Sequence, residues 1–99
     1  MKEVYMVQLD YSTDDCQGVD TYLYDTKEKA LLHFYEIIKQ EKKDSWIENA
    51  FNENGSVNKD YELDTNIDDD NSCDLWWNIT CKQDFYLHTF LNLRKMEVK

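Results

Sequence analysis

The chain has 99 residues, of which 41% are hydrophobic and 14% aromatic, and its formal net charge is −10. This length and composition suit a single globular domain over residues 1–99, because each aromatic side chain can bury roughly 150–250 Å². The negative charge disfavours direct binding to nucleic acid and to anionic membranes, since both would repel it.

The first 24 residues predict a β-hairpin. Residues 3–11 alternate in polarity, with one face formed by Tyr5, Val7, Leu9 and Tyr11. Residues 19–24 predict a second strand, in which Tyr22 and Tyr24 lie opposite the face of Val19, Thr21 and Leu23. The intervening STDDCQG is rich in turn residues, and Gly18 is available there for a positive φ.

Residues 25–43 predict an amphipathic helix. Asp25 can cap its N-terminus together with Glu28, as in a capping box. The helical spacing is carried by Ala30, Leu31, Phe34, Ile37 and Ile38. A second, shorter helix is predicted over SWIENAF, whose inner side would present Trp46, Ile47, Ala50 and Phe51. Asn54-Gly55 would end that helix in a left-handed conformation.

The second half predicts three strands. Residues 60–65 alternate with acids, which is typical of an exposed edge strand. Residues 75–81 place Trp76 and Trp77 on opposite faces, because side chains alternate along a strand. Residues 85–98 fit a strand or a short helix, and their period of two favours the strand. The predicted fold is α+β: an antiparallel sheet of about five strands, in the order β-β-α-α-β-β-β, with the helices on one face.

The acids concentrate in two segments. Residues 1–25 hold six acids and one base, and residues 59–74 hold seven acids and one base. Acids in loops are usually only solvated, yet this asymmetry also suits a surface for a basic partner. The predicted partner-binding residues are Asp14, Asp15, Asp20, Asp60, Glu62, Asp64, Asp68, Asp69, Asp70 and Asp74, with the aromatics Tyr22, Tyr24 and Trp76.

Metal and cofactor sites are not predicted. Asp64-x-Asn66-x-Asp68 resembles the start of an EF-hand loop, but Asp69 replaces the required glycine and Leu75 the required glutamate. The chain also lacks Cys-x-x-Cys and His-x₃–₅-His spacings, which zinc sites use. The sequence therefore predicts no metal and no cofactor.

Catalytic chemistry is not predicted either. The three cysteines, Cys16, Cys73 and Cys81, are widely spaced, and two of them lie in acidic segments that blunt thiol reactivity. Their odd number makes no disulfide framework, and the N-terminus has no secretory signal, so a reduced, cytoplasmic location is expected. The prediction is that the protein is not an enzyme.

The tryptophan pair offers a second kind of surface. One tryptophan must face the core, whereas the other is either covered or exposed. An exposed Trp76 beside Tyr22 and Tyr24 would form an aromatic platform, and acids around it would favour Arg and Lys of a protein partner. The plainer interpretation is that every tryptophan belongs to the core.

Two functions of different class follow. In size, acidity and lack of catalytic motif, the chain is similar to phage-encoded nucleic-acid mimics such as anti-restriction and anti-CRISPR proteins. That resemblance is compositional, and it implies an inhibitor that blocks a basic nucleic-acid-binding protein such as a nuclease. The alternative is a cytosolic adaptor or assembly domain that binds a protein through an aromatic sheet face. A small-ligand binder is a third reading, for which no residues mark a pocket.

Overall fold

The computed structural model describes residues 2–13, 16–43, 47, 50–54, 56–67, 74–84 and 86–98. In chain order, the elements are β1 (Lys2–Ser12), β2 (Gln17–Tyr24), α1 (Lys27–Glu41), β3 (Tyr61–Asn66), β4 (Asp74–Cys81) and β5 (His88–Val98). The strands form one antiparallel sheet in the spatial order β2-β1-β5-β4-β3. This arrangement confirms the predicted α+β class, the five strands and the assignment of residues 88–98 to a strand.

The predicted element order is wrong in one respect. The described residues contain one helix, α1, so the observed order is β-β-α-β-β-β. Residues 44–46, 48 and 49, where most of the second helix was predicted, lie outside the described residues. Of its described positions, Ile47 is helical, and the Ala50 N–H in the following turn donates to the Ile47 carbonyl at 2.8 Å.

The core lies between α1 and one face of the sheet, here called the covered face. From α1, Ala30, Phe34, Ile37 and Ile38 are buried. They face apolar strand residues that alternate along the chain, namely Val7, Leu9, Leu75, Trp77, Ile79, Leu91 and Leu93. Period-two alternation thus places one side of each strand in the core, as the sequence predicts.

The helix begins one residue later than predicted. Thr26 is the N-cap: its backbone is extended, and its hydroxyl oxygen accepts the Lys29 N–H at 3.3 Å. Asp25 instead pairs with the Lys29 ammonium group at 3.0 Å on the exposed surface. The capping box proposed from Asp25 and Glu28 is therefore corrected to a threonine cap.

Replacement of Thr26 by alanine should lower the free energy of unfolding by about 0.5–2 kcal/mol, because the Lys29 N–H loses its acceptor. Asp25→Ala should cost less, since an exposed ion pair is worth about 0–1 kcal/mol. Urea unfolding followed by circular dichroism measures both. If Asp25→Ala lowered the free energy of unfolding more than Thr26→Ala did, Asp25 and not Thr26 would be the N-cap.

The sheet order separates β2, which lies in the first acidic segment, from β3, which lies in the second. β5 is the central strand, and it pairs with β1 along the full length of both strands, from Lys2 with Val98 to Ser12 with His88. After β2, the chain passes through α1 and residues 42–60 before it adds β3 at the far side of β4. β2 and β3 are therefore the two opposite edges of the sheet.

Candidate binding face

The face of the sheet opposite α1 is here called the open face. It carries the second set of alternating side chains: Met6, Gln8, Asp10, Val19, Thr21, Leu23, Glu62, Asp64, Asn66, Asp74, Trp76, Asn78, Thr80, His88, Phe90, Asn92, Arg94 and Met96. Val19, Leu23 and Met96 are 58%, 63% and 44% exposed. Within the described part of the chain, no helix packs over these residues.

Aromatic side chains occupy the part of the open face formed by β4 and β5. Trp76 is half-buried, and its cross-strand neighbours are Asn92 and Asn66. Phe90 lies diagonally across from it and is stacked on His88, with 4.5 Å between ring centroids and an interplanar angle of 20°. The prediction that Trp76 and Trp77 face opposite sides is confirmed, since Trp77 is 2% exposed on the covered face.

Carboxylates surround these aromatic rings on the same face. Glu62 and Asp64 are exposed on β3, and Asp64 is paired in register with Asn78. Asp10 accepts a hydrogen bond from His88, with 3.3 Å between Oδ1 and Nε2. Arg94 Nε lies 3.7 Å from Asp74 Oδ1, and both side chains are about 60% exposed. The open face therefore combines apolar and aromatic groups with an excess of negative charge.

Two polar atoms of β4 stand out on this face. The Trp76 indole nitrogen and the Asn78 amide oxygen are buried, and neither has a hydrogen-bond partner among the described residues. A buried polar group without a partner costs roughly 1–3 kcal/mol. Native structures contain few such groups, and each calls for an explanation beyond the packing of the core.

Tyr22 and Tyr24 do not join Trp76, which corrects the predicted aromatic platform. The register pairs Tyr22 with Val7 and Tyr24 with Tyr5, which places both tyrosines on the covered face. There they contact His33 of α1 edge-on, with ring centroids 4.4 and 5.7 Å away. The Tyr24 hydroxyl is also 2.5 Å from His33 Nδ1. These tyrosines attach β2 to the helix.

The predicted acids that lie among the described residues do not form one surface either. Asp20 lies on the covered face of β2, at the sheet edge opposite Glu62 and Asp64. Across four strand spacings that separation is about 19 Å. Asp60 precedes β3, and its carbonyl accepts the Lys82 N–H at 2.9 Å. The predicted residues that do come together on the open face are Glu62, Asp64, Asp74 and Trp76.

Five predicted acids, Asp14, Asp15, Asp68, Asp69 and Asp70, lie outside the described residues. The strand ends that flank them are described. Ser12 and Gln17 end the sheet beside His88, whereas Asn66 and Asp74 lie towards its other end, where Asp74 is paired with Arg94. The chain thus enters and leaves the two acidic loops at opposite ends of the sheet.

Gly18 serves a role that the sequence analysis misassigned to a turn. It belongs to β2 and is paired with Tyr11, whose ring lies directly over it. A Cβ at this position would be 2.7 Å from the Tyr11 hydroxyl oxygen, closer than real Cβ contacts allow. Close approach of the tyrosine ring, rather than a positive φ, explains the glycine. Beyond Gly18, the Cys16 thiol lies 3.9 Å from the Tyr11 hydroxyl.

This contact perturbs Tyr11. Its hydroxyl pKa is raised above the ordinary value, first by the side-chain hydrogen bond with Cys16 and then by the charges of Cys16 and Asp20. Because its hydroxyl pKa is raised, Tyr11 stays neutral at physiological pH. A neutral Tyr11 hydroxyl is not an activated nucleophile.

Sequence reasoning missed a small cavity at the hairpin end of the sheet. It has a volume of about 360 Å³, and Asp10, Ser12, Gln17 and His88 contribute to its lining. Serine, histidine and aspartate also make up nucleophilic triads. Here Ser12 is 2% exposed, and its hydroxyl oxygen accepts a hydrogen bond from Gln17 at 3.4 Å. The geometry therefore does not present the hydroxyl as a nucleophile.

Among the described residues, no group of three or more His, Cys, Asp or Glu side chains is placed to hold a metal ion. The same residues include no helix of the length and apolarity that a membrane span requires. Comparisons of the chain with protein family models, with curated proteins and with solved structures find no match in any of the three.

Proposed function

We propose that this protein is a non-catalytic binding protein whose open face takes up a basic surface of another protein. The observation that carries the proposal is the composition of that face. Half-buried aromatic rings and exposed aliphatic side chains share it with four carboxylates, from Asp10, Glu62, Asp64 and Asp74. Against these, the register positions of the open face hold two bases, Arg94 and, at the start of β1, Lys2.

The partner chemistry follows from these groups. Tryptophan and phenylalanine rings attract guanidinium and ammonium groups, by about 0.5–2 kcal/mol according to their exposure. Carboxylates beside the rings add charge-assisted hydrogen bonds to the same cations. Large aromatic residues also dominate protein interfaces energetically. An apolar patch with Arg or Lys at its margin is therefore the surface that complements the open face.

A finer proposal concerns the identity of the partner. A protein that binds nucleic acid, such as a nuclease, carries the basic surface that is required, and its blockage would make this chain an inhibitor. The net charge of −10 supports that proposal, as does the exposure of Glu62 and Asp64. Cys16 and Cys81 are free thiols, which suits action in the reducing cytoplasm.

The first test compares two charge-matched double variants. Proteins captured from a lysate of the source organism are identified, and the purified partner is then titrated by calorimetry. Glu62→Gln with Asp64→Asn should weaken binding about tenfold, since two exposed charge pairs of roughly 0.7 kcal/mol each amount to about 1.4 kcal/mol. Glu36→Gln with Glu53→Gln removes the same charge from exposed positions off the open face and should have little effect.

The salt dependence of binding and a Trp76 variant distinguish a basic partner from an adaptor function. Binding to a basic partner should weaken as salt rises, because screening acts on exposed charges. For an adaptor that uses mainly apolar contact, binding should tolerate salt and fail with Trp76→Ala. If the two double variants bound with equal affinity and binding tolerated salt, the proposal that the open face binds a basic surface would be wrong. A triple variant tests the proposal of a nucleic-acid mimic. Capture of a nuclease should weaken when Asp68→Asn, Asp69→Asn and Asp70→Asn are combined.

A further inference from the structure

The two edges of the sheet differ in how they are protected. Edge strands normally carry charges, proline or bulges, which prevent their unpaired backbone from joining another strand. β3 follows that rule, because Glu62 and Asp64 are exposed along its six residues. β2 does not. Its eight residues contain one charged side chain, Asp20, while Val19 and Leu23 are 58% and 63% exposed.

The hydrogen bonds fix which β2 backbone groups face outward. The Thr13 N–H donates to the Cys16 carbonyl at 2.7 Å, which makes these residues a hydrogen-bonded pair. Such pairs alternate with non-bonded ones along an antiparallel ladder. Gly18, Asp20 and Tyr22 therefore bond to β1. The backbone N–H and C=O groups pointing to the free edge belong to Val19, Thr21 and Leu23.

The far side of the sheet gives the same alternation. The Cys81 N–H donates to the Leu87 carbonyl at 3.0 Å, so odd-numbered residues of β4 and β5 bond to each other. Even-numbered residues of β5 must then bond to β1, and odd-numbered residues of β1 to β2. Two independent hydrogen bonds thus assign the outward groups of β2.

We propose that β2 pairs antiparallel with β2 of a second copy, around a two-fold axis at Thr21, and that the dimer has a continuous ten-stranded sheet. In this register Thr21 faces Thr21 of the second copy. Val19 faces Leu23 of the second copy, and this apolar pair occurs twice. The outward N–H groups of all three residues then donate to outward carbonyl groups of the second copy, and their own carbonyls accept in return.

Charge selects this register over its neighbours. An axis at Asp20 would set two carboxylates directly opposite each other, and like charges in cross-strand pairs are destabilising. An axis at Tyr22 would set Val19 opposite Asp25. With the axis at Thr21, Asp20 faces Tyr22 of the second copy, and no charged side chain of β2 faces another. The edge is therefore complementary to itself.

The overall charge does not oppose this dimer strongly. The acidic β3 strands would be the outermost of ten, so they would lie about 43 Å apart at roughly 4.8 Å per spacing. The screening length at physiological salt is only about 8 Å. An axis perpendicular to the sheet also keeps both open faces on the same side. The inference does not depend on the proposed function, although it would offer a partner two adjoining open faces.

Two proline variants test the edge. Thr21→Pro removes an outward N–H of β2 without breaking a backbone hydrogen bond to β1. It also removes the Thr21 hydroxyl, which accepts a hydrogen bond from the Gln8 side-chain amide at 3.3 Å. Thr65→Pro is the matched control, because the Lys82 N–H bond to the Asp60 carbonyl places Thr65 among the outward residues of β3. Size-exclusion chromatography with light scattering, from about 1 μM to 1 mM, should give wild type and Thr65→Pro twice the 12.0 kDa monomer mass at high concentration. Thr21→Pro should remain at 12.0 kDa.

A wild-type protein that stays monomeric over the whole range would overturn the proposal, and so would a Thr21→Pro dimer. Cysteine cross-linking tests the register, and it also decides the matter if Thr21→Pro does not fold. In a background with Cys16, Cys73 and Cys81 replaced by serine, Thr21→Cys should form a covalent dimer on oxidation. Cα atoms of such a pair are about 5.5 Å apart, within disulfide range.

Val19→Cys is the control in that background. In the proposed register the two substituted positions lie four residues apart along the strands, which is about 14 Å. That distance exceeds the range of a disulfide. Efficient cross-linking of Val19→Cys with none of Thr21→Cys would exclude the Thr21 axis.

Discussion

Replacement of Trp77 by alanine should bring the protein close to unfolding, with a loss of about 3–5 kcal/mol. Trp77 is 2% exposed on the covered face, and its cross-strand neighbours are Thr65 and Leu91. Alanine would leave a cavity in the core that the rigid strands on either side cannot fill. Single domains have only about 5–15 kcal/mol of stability in total. Urea unfolding followed by circular dichroism should show a large fall in the midpoint.

Trp76 provides the control, because it is the same residue type at the adjacent position with the opposite orientation. Its ring is half-buried on the open face. Trp76→Ala should therefore cost less, on the order of 1–2 kcal/mol. Equal losses for the two variants would mean that both faces of β4 contribute equally to stability, which would contradict the division into a covered and an open face.

This contrast also shows what a sequence pattern determines. Alternation along β4 is enough to place two adjacent tryptophans on opposite sides, because the geometry of an extended strand enforces it. The same reasoning placed Val7 and Leu9 on one face of β1, and both are buried. Side-chain direction within one strand is a local property, so the sequence of that strand predicts it.

The ends of helices are predicted less accurately, because adjacent residues can compete for the N-cap position. Asp25 and Thr26 are both good N-cap residues, and adjacent positions can each start a helix. The structure selects Thr26, while Asp25 pairs with Lys29. A capping pattern alone does not separate two such neighbours, because both side chains offer an oxygen that can accept a backbone N–H.

The sequence predicted less well which strands are neighbours in the sheet and which side chains share a face across strands. The sequence places Tyr22 and Trp76 on strands but does not state that three spacings separate those strands. Their faces relative to each other depend on the pairing of β1 with β5, residues that lie more than eighty positions apart at Glu3 and Glu97. Register over such distances is set by the whole core. The aromatic platform and the single acidic surface failed for this reason, while Glu62, Asp64, Asp74 and Trp76 came together.

The segment between α1 and β3 has a role in stability that its sequence pattern anticipated. The predicted inner side of SWIENAF included Ile47, Ala50 and Phe51. Ile47 and Ala50 are fully buried in the core cluster, and Phe51 packs against it. The Ala50 carbonyl also accepts the Asn58 N–H at 2.6 Å. The apolar spacing therefore identified the buried residues even though the described residues show one helix.

Ile47→Ala should accordingly lower the free energy of unfolding by about 2–5 kcal/mol, because it removes buried methylene groups and leaves a cavity. Leu32→Ala is the control: Leu32 is 74% exposed on α1, so its loss should be within about 0.5 kcal/mol. Thermal and urea unfolding measure both. If the two variants were equally stable, the segment would be dispensable and the core would consist of α1 and the sheet alone. A large loss would instead mean that the connection between α1 and β3 closes the core, and so holds β3 with its carboxylates at the edge of the open face.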